Sequence, residues 1–260
     1  MEAYDYRLLA ADVWAIADSL GFDTFHMVAH DHGAVLGWTL AASDAGASRI
    51  LSYSALSIPH IDAFSSGLVG DGADPAQQIA SQYFSMFMLP DSASLNFDFW
   101  YLTLGATSTS YARFGEYFGS AKSFQKALWW YNGASLAGVM AMPPNMSVSE
   151  LTAQGAYSTA ALRAMYPGQS DEPDGWPATS PSGVVSVPSL YICGSKDSSI
   201  LCNHDYALRT EEYIAEGFKY TYLEVDCGHD LTSPSCSEHE KVYAAIIAHI
   251  QDAMIVAAIT

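Results

Sequence analysis

An aspartate stands where the chain must turn sharply. Asp31 lies within Ala29-His30-Asp31-His32-Gly33-Ala34, between an apolar run at 25–29 and a helical pattern at 34–42. Small residues on both sides of Asp31 suit a tight strand-to-helix turn, which presents its central side chain above a sheet. A carboxylate in that position can attack an sp3 carbon and form a covalent ester. The segment is also compatible with an ordinary turn whose aspartate caps the helix.

An acid and a histidine follow two later strand patterns. Asp197 follows the apolar run at 187–194, and His229 follows the run at 220–225. A carboxylate can orient an imidazole, and the imidazole can then activate water against an ester. Taken singly, Asp197 is typical of a turn and His229 of an exposed loop. Because the three residues follow three strands in the order nucleophile, acid, histidine, we interpret them as one catalytic set.

The elements that must position these residues alternate between strands and helices. Apolar spacing predicts helices at 8–20, 34–42 and 240–254. The order strand, helix, strand favours a parallel sheet. We predict a mostly parallel, four-stranded sheet formed by residues 25–29, 50–56, 187–193 and 220–226.

A segment rich in aromatic residues, Met, Ser and Gly interrupts this pattern between residues 67 and 180. Helical patches alternate with loops there, and a Pro/Gly/Ser-rich connector follows. We therefore predict an α/β core in two parts, 1–66 and 181–260, with a mostly helical cap inserted at 67–180.

The amino-acid composition of the chain limits the kinds of partner that it can bind. The chain has 260 residues and a net charge of −18, with ten Lys and Arg residues in total. Since phosphate groups bind clustered cations, nucleic acid and anionic membrane surfaces are disfavoured as partners. No apolar stretch reaches the ~18 residues that span a bilayer, and the N-terminus lacks signal-peptide features. We expect a soluble protein, cytoplasmic by default, that needs no cofactor.

Three stretches resemble a known family: residues 25–34, Ser57-Ile58-Pro59-His60, and Ala127-Leu128-Trp129-Trp130-Tyr131-Asn132. They are similar to the epoxide hydrolase and haloalkane dehalogenase branch of the α/β-hydrolase superfamily. The resemblance covers essentially the whole chain. It implies an α/β-hydrolase fold, in which helices flank a mostly parallel sheet and a helical cap is inserted, with Asp31, Asp197 and His229 as the catalytic triad.

Two tyrosines favour epoxide opening over dehalogenation. Tyr131 lies in the third stretch, and Tyr83, seven residues before Pro90, matches the first cap tyrosine of epoxide hydrolases. A phenol with a pKa of about 10 can donate a hydrogen bond to the alkoxide that an opened epoxide leaves. Dehalogenases often carry a Trp beside the nucleophile, where this chain has His32. The expected substrate is small and apolar, such as an epoxide, in a pocket lined by Phe99, Trp100, Trp129 and Trp130.

The sequence supplies one donor of an oxyanion hole but not the other. The first is the backbone N–H after the nucleophile, that of His32, and the second should come from an earlier loop. The resemblance implies a His-Gly-x-Pro motif there, whereas His32-Gly33 is followed by Ala34. We therefore expect an N-terminally truncated core, with 25–29 as an edge strand that lacks its usual neighbour. Such a chain should be weakly active, because losing one donor costs about 10²–10³ in rate, and should self-associate through that edge.

Other functions stay open. One is a non-catalytic or weakly active relative that binds a small apolar ligand, and another is a haloalkane dehalogenase. His26, His30 and His32 with Asp31 could bind a metal, but we find no second His/Asp cluster to complete the site. Gly133-Ala134-Ser135-Leu136-Ala137 resembles a serine-hydrolase turn but follows no strand.

The four cysteines, at 193, 202, 227 and 236, form no C-x-x-C pair, which disfavours a zinc ribbon. The redox rule for intracellular proteins favours four reduced thiols. The alternative is a Cys202–Cys236 bond, since both residues lie in loops that must bring Asp197 and His229 together.

Overall fold

The computed structural model describes residues 6–68, 73–81, 83–88, 116–117, 123–124, 126–128, 131 and 183–259. Four strands form one sheet in this part of the chain: β1 (Phe25–His30), β2 (Ile50–Leu56), β3 (Ser189–Gly194) and β4 (Tyr220–Val225). The helices of the same residues are α1 (Tyr6–Ser19), α2 (His32–Ala41), α3 (Asp44–Arg49), α4 (Ile61–Leu68), α5 (Pro75–Ala80), α6 (Tyr83–Met88), α7 (His204–Glu211) and α8 (His239–Ile259).

The sheet is parallel throughout, in the order β1-β2-β3-β4. The predicted strands are therefore confirmed, although β3 begins at Ser189 rather than at residue 187. β1 lies at one edge of the described sheet, as predicted, and its Val28 is 45% exposed. Self-association through this edge stays a prediction.

Helices cover both faces of the sheet. Successive residues of a strand point to opposite faces, and in β3 Tyr191 joins one apolar cluster while Ile192 joins another. The first cluster contains Trp38 of α2, and the second contains Val242 of α8. Among the described residues, every helix is too short or too polar for a bilayer span.

α2 is fixed against β2 by two buried aromatic side chains. The hydroxyl of Tyr53 donates to the carbonyl of Ala34 (2.7 Å), and the indole N–H of Trp38 donates to the carbonyl of Ile58 (3.1 Å). Gly37 faces the Tyr53 ring so closely that a Cβ there would collide with it. The start of α2, where Asp31 lies, is therefore held at a set distance from the end of β2.

Two short helices connect the predicted cap segment to the core. α5 and α6 both fall within 67–180, and Phe84 of α6 is buried in the same apolar cluster as Trp38. α4 crosses the predicted boundary between residues 66 and 67. Most of the predicted cap, including Phe99, Trp129 and Trp130, lies outside the described residues.

The four cysteines form two disulfide bonds, Cys193–Cys202 and Cys227–Cys236. The expectation of four free thiols is therefore wrong, and so is the alternative Cys202–Cys236 bond. Each strand-to-helix loop folds back on its own strand and brings its two cysteines to Cα–Cα distances of 5.4 and 5.0 Å, which suit a disulfide. The alternative bond would link two loops, whereas each loop closes on itself.

Candidate active site

Asp31 is held in a backbone conformation that few L-residues adopt. Its φ of 55° and ψ of −129° lie outside the regions open to most side chains. β1 ends at His30 and α2 begins at His32, so the direction of the chain changes at this one residue. The carbonyl of Asp31 accepts a hydrogen bond from the N–H of Ala34 (2.8 Å), which ties the turn to the helix. Strained residues of this kind cluster at functional sites.

The structure brings Asp31, His229 and Asp197 into one hydrogen-bonded chain. Nε2 of His229 lies 2.6 Å from Oδ2 of Asp31, and Nδ1 lies 2.6 Å from Oδ2 of Asp197. The other oxygen of Asp31, Oδ1, accepts a hydrogen bond from the backbone N–H of His32 at 2.5 Å. The Asp197 side chain is 1% exposed, whereas that of Asp31 is 39% exposed. The carboxylate at the turn is thus the one that a ligand can reach.

The shared hydrogen bonds move the pKa values of Asp31 and His229 apart. Burial raises the pKa of Asp31, but the hydrogen bond with His229 and the nearby His32 outweigh burial and hold it well below its usual range. Burial lowers the pKa of His229, but hydrogen bonds with Asp197 and Asp31 outweigh that and raise it to about 10. At neutral pH, Asp31 is therefore a carboxylate and His229 an imidazolium.

Backbone donors and a buried glutamine fix the Asp197 loop. Oδ1 of Asp197 accepts from the N–H groups of Ser199 (2.8 Å) and Ile200 (3.1 Å), which leaves Oδ2 for the imidazole. Gln77 of α5 is fully buried, donates to the carbonyl of Ser199 and accepts from the N–H of Leu201, both at 2.8 Å. Hydrogen bonds within the loop therefore orient the carboxylate of Asp197, and Gln77 holds the backbone of the same loop in place.

Two side chains converge on the backbone carbonyl of His229. The hydroxyl of Ser57 donates to it at 2.6 Å, and Nε2 of His30 lies 3.0 Å from it. Ser57 follows β2 and has a φ of 69°, so a second strained residue lies beside the first. The position of the imidazole is therefore tied to the ends of β1 and β2.

The loops that carry the acid and the histidine also contact each other directly. The N–H groups of Ser195 and Lys196 donate to the carbonyls of Val225 and Cys227, both at 2.8 Å. Gly194 makes this approach possible, because a Cβ there would collide with the backbone of the histidine loop.

Asp31 opens onto a small cavity with a mainly apolar lining and two phenols. Burial and the charge of Asp31 raise the pKa of both Tyr83 and Tyr131, so both keep their protons through alkaline pH. The ring of Tyr131 lies edge-on to that of His32, with centroids 4.8 Å apart. Among the described residues, the rest of the lining consists of Val35, Ile58, Ile61, Phe64, Phe84 and Ile200.

This arrangement of strand, turn and helix is matched by a known family. The sequence model of the alpha/beta hydrolase fold matches residues 1–232. The chain belongs to the α/β-hydrolase family.

Solved structures of other hydrolases share the fold. An epoxide hydrolase from metagenomes of hot environments has a TM-score of 0.60 and 20% identity, over 97% of this chain and 75% of that chain. A Bacillus megaterium epoxide hydrolase has a TM-score of 0.58 and 18% identity, over 96% and 77%. A haloalkane dehalogenase variant from Bradyrhizobium elkanii has a TM-score of 0.57 and 18% identity, over 97% and 76%. A search of curated proteins finds no significant match.

The histidines of this hydrolase that could have formed a metal site point to different partners. Nδ1 of His26 lies 2.8 Å from the hydroxyl of Ser52, whereas His30 faces the carbonyl of His229. Within the described ranges, no group of three or more His, Cys, Asp or Glu side chains is arranged to hold a metal ion. Of the two oxyanion donors that the resemblance implies, the structure places His32 N–H beside Asp31.

Three contacts of the hydrolase site were not foreseen from the sequence. Gln77 gave no signal, since it lies in the segment assigned to the cap and 122 residues from the carbonyl it binds. Ser57 belonged to a stretch that carried the resemblance, but no role followed from that. His30 lies in the stretch that carries the resemblance, but the only role that the sequence suggests for its side chain is that of a metal ligand. All three act through backbone groups of loops that are distant in sequence.

Proposed function

We propose that this hydrolase opens epoxides to vicinal diols through a covalent ester on Asp31. The observation that carries the proposal is that a carboxylate in a strained turn and two half-buried phenols, Tyr83 and Tyr131, line one cavity. A carboxylate can attack an sp3 carbon, and phenols can hold the oxygen that leaves it. The similarity in fold to solved epoxide hydrolases supports this choice.

In the first half-reaction, Oδ2 of Asp31 attacks the less hindered epoxide carbon. The carbon–oxygen bond of the ring breaks, its electron pair moves to the oxygen, and Tyr83 and Tyr131 donate hydrogen bonds to the resulting alkoxide. Oδ1 is held by the backbone N–H of His32, whereas Oδ2 faces the side chain of His229, so we assign the attack to Oδ2. Oδ1 therefore becomes the carbonyl oxygen of the ester and stays beside that donor.

Ester formation changes the charge around His229. Oδ2 of Asp31 loses its negative charge, so one of the two partners that raise the pKa of His229 to about 10 disappears. The pKa of His229 falls, and the proton that leaves the ring balances the proton that the alkoxide takes up. A neutral imidazole then stands next to the ester, where it can act as a base.

In the second half-reaction, His229 removes a proton from water and the hydroxide attacks Cγ of Asp31. Negative charge develops on Oδ1, where the N–H of His32 stabilises it. The tetrahedral intermediate collapses, the bond from Cγ to the alkyl oxygen breaks, and the leaving alkoxide takes the proton from His229. The carboxylic acid left on Asp31 then passes its proton to His229, which restores the carboxylate and the imidazolium, and the diol departs.

The substrate class follows from the lining of the cavity. The described side chains around Asp31 are aliphatic and aromatic apart from the two phenols and His32, so we infer that a small apolar epoxide fits better than a charged one. The reaction needs water alone as co-substrate, and the scheme contains no step for a metal or cofactor.

Mass spectrometry of a His229→Gln variant incubated with an aryl epoxide tests the scheme. We expect the protein to gain the mass of the epoxide on the peptide that contains Asp31, because the ester forms but is not hydrolysed. Asp31→Asn should show neither adduct nor diol, and Asp23→Asn, at an exposed position, is the matched control with native activity.

A haloalkane offered in parallel separates the alternatives. Halide release without diol formation would make the protein a dehalogenase. Binding of the epoxide with neither adduct nor diol in the native protein would make it a non-catalytic ligand-binding relative. Diol formation without any ester on Asp31 would refute the two-step mechanism.

A further inference from the structure

Each disulfide closes a loop that carries one member of the Asp31–His229–Asp197 chain. The Cys193–Cys202 bond encloses Asp197, and the Cys227–Cys236 bond encloses His229. In both loops the first cysteine lies near the C-terminal end of a strand, within β3 for Cys193 and two residues after β4 for Cys227, and the second lies shortly before the next helix, α7 or α8. The separation within each pair is the same, nine positions. All four cysteines of the chain are used in this way.

The contacts that tie the second loop to the rest of the core lie mainly at its start, where the carbonyls of Cys227 and His229 accept hydrogen bonds from Lys196 and Ser57. Within 228–235, Leu231 is buried, and its neighbours in the loop are half-buried or exposed. Cys227 and Cys236 are both buried in the apolar cluster that faces α8. Short polar loops open locally when little holds them to the core. The bond therefore fixes both ends of the loop that presents His229.

The geometry of the hydrogen-bonded chain leaves little tolerance for loop motion. Both imidazole nitrogens lie 2.6 Å from their carboxylate oxygens. A displacement of about 1 Å in a catalytic group can cost about 10²-fold in rate. Asp31, by contrast, lies on the turn between β1 and α2, which carries no cysteine.

We propose that the two disulfides position Asp197 and His229, and that the reduced protein therefore forms the ester on Asp31 but hydrolyses it slowly. The division between the two half-reactions rests on the proposed function, whereas the positioning itself does not. Because disulfides persist in oxidising surroundings, the proposal also implies that the protein acts in such a compartment rather than in the reducing cytoplasm.

The first test compares the oxidised protein with the protein reduced by a water-soluble phosphine. Each disulfide gains two electrons and two protons to give two thiols, while the phosphine takes the oxygen of water and becomes a phosphine oxide. Thiol titration should count none before and four after. In single turnovers with an aryl epoxide, ester formation should keep its rate, and ester hydrolysis should slow by more than about tenfold. Removal of the phosphine and reoxidation should restore hydrolysis.

Two double variants test the two loops one at a time, and they keep the proposal testable if the fully reduced chain unfolds. Cys193→Ala with Cys202→Ala frees the acid loop, and Cys227→Ala with Cys236→Ala frees the histidine loop, each with the other bond intact. Both should show the same selective loss at a temperature where far-UV circular dichroism matches that of the native protein. An equal loss in both half-reactions, or failure of both variants to fold, would mean that the bonds stabilise the whole fold, and the proposal would be wrong.

The second test needs no substrate. NMR titration of labelled histidine should place the pKa of His229 far above its usual value in the oxidised protein, because of the carboxylates on both sides. In the reduced protein, or in the variant without the 227–236 bond, this pKa should fall as the hydrogen bonds lengthen. A fall without any epoxide turnover would support positioning and refute the proposed reaction. An unchanged pKa on reduction would overturn positioning, whatever the substrate.

Discussion

Replacing Asp197 with asparagine tests whether this side chain sets the tautomer of His229. Oδ1 of Asp197 accepts from the N–H groups of Ser199 and Ile200, so the carbonyl oxygen of an asparagine takes that place. Its NH2 group then faces Nδ1 of His229, which lies 2.6 Å from Oδ2 in the native protein. Since two donors cannot share a hydrogen bond, Nδ1 must lose its proton and Nε2 must carry it. A neutral ring protonated at Nε2 cannot accept a proton from water there.

The lost charge acts in addition to the wrong tautomer. The rise of the His229 pKa from 6.5 to about 10 corresponds to on the order of 5 kcal/mol in favour of the protonated ring. That preference is shared between Asp197 and Asp31, and Asp197→Asn removes one of the two carboxylates. An imidazole with a lower pKa is also a weaker base in the second half-reaction. We expect ester hydrolysis to slow by about 10³–10⁴-fold, while ester formation stays near the native rate.

Rapid-quench mass spectrometry measures the two steps separately. The ester on Asp31 should accumulate fully in Asp197→Asn and only transiently in the native protein and in the exposed control Asp23→Asn. Circular dichroism should show that the buried asparagine has not unfolded the variant. Hydrolysis within about tenfold of the native rate would refute Asp197 as the residue that orients His229.

Three further predictions concern the phenols, pH and the disulfides. Tyr131→Phe should slow ester formation by about 10²-fold, measured in single turnovers, whereas Tyr117→Phe, at a residue that is 86% exposed, should not. Equal effects would exclude the phenol of Tyr131 as the hydrogen-bond donor to the epoxide oxygen. Because the pKa of Asp31 lies well below its usual range, the rate of ester formation should be flat from about pH 5 to 9. The rate of ester hydrolysis should instead rise with pH and level off above the pKa that His229 has while Asp31 is esterified. That pKa lies below the value of about 10 that His229 has beside ionised Asp31. A rate that falls with rising pH would contradict His229 as the base. Loss of either disulfide should lower the free energy of unfolding by about 3 kcal/mol in urea titrations, and no change would mean that the closed loops do not restrict the unfolded chain.

The fold could be predicted because its signals are local. An apolar run ended by a turn residue marks a buried strand, and the runs around Tyr53 and Leu223 were placed within a residue of β2 and β4. Parallel strands end at the same edge of a sheet, so residues that follow three of them must meet there. This reasoning predicts from the sequence that Asp31, Asp197 and His229 lie close together. It gave no distances, and the proposed roles of the two tyrosines came from the resemblance and from the chemistry of phenols.

The cysteine pairing failed for a reason that shows where such reasoning stops. Knowing that two loops meet does not say whether a side chain at the end of one faces the other loop or its own strand. Cys202 returns to Cys193 because the eight residues between them form a closed turn around Asp197. That turn depends on the N–H of Ser199 binding the acid, a contact that the spacing of residues does not reveal.

The placement of the imidazole depends on contacts between residues far apart in the chain. Ser57 lies 172 residues, and His30 lies 199 residues, from the His229 carbonyl that they share. His30 is the last residue of β1 and Ser57 comes directly after β2, so the pairing of these two strands fixes where both residues lie. Gln77, on α5, holds the backbone of the Asp197 loop through hydrogen bonds to Ser199 and Leu201. The order of residues along the chain therefore determines which groups meet, and these buried polar contacts determine how closely.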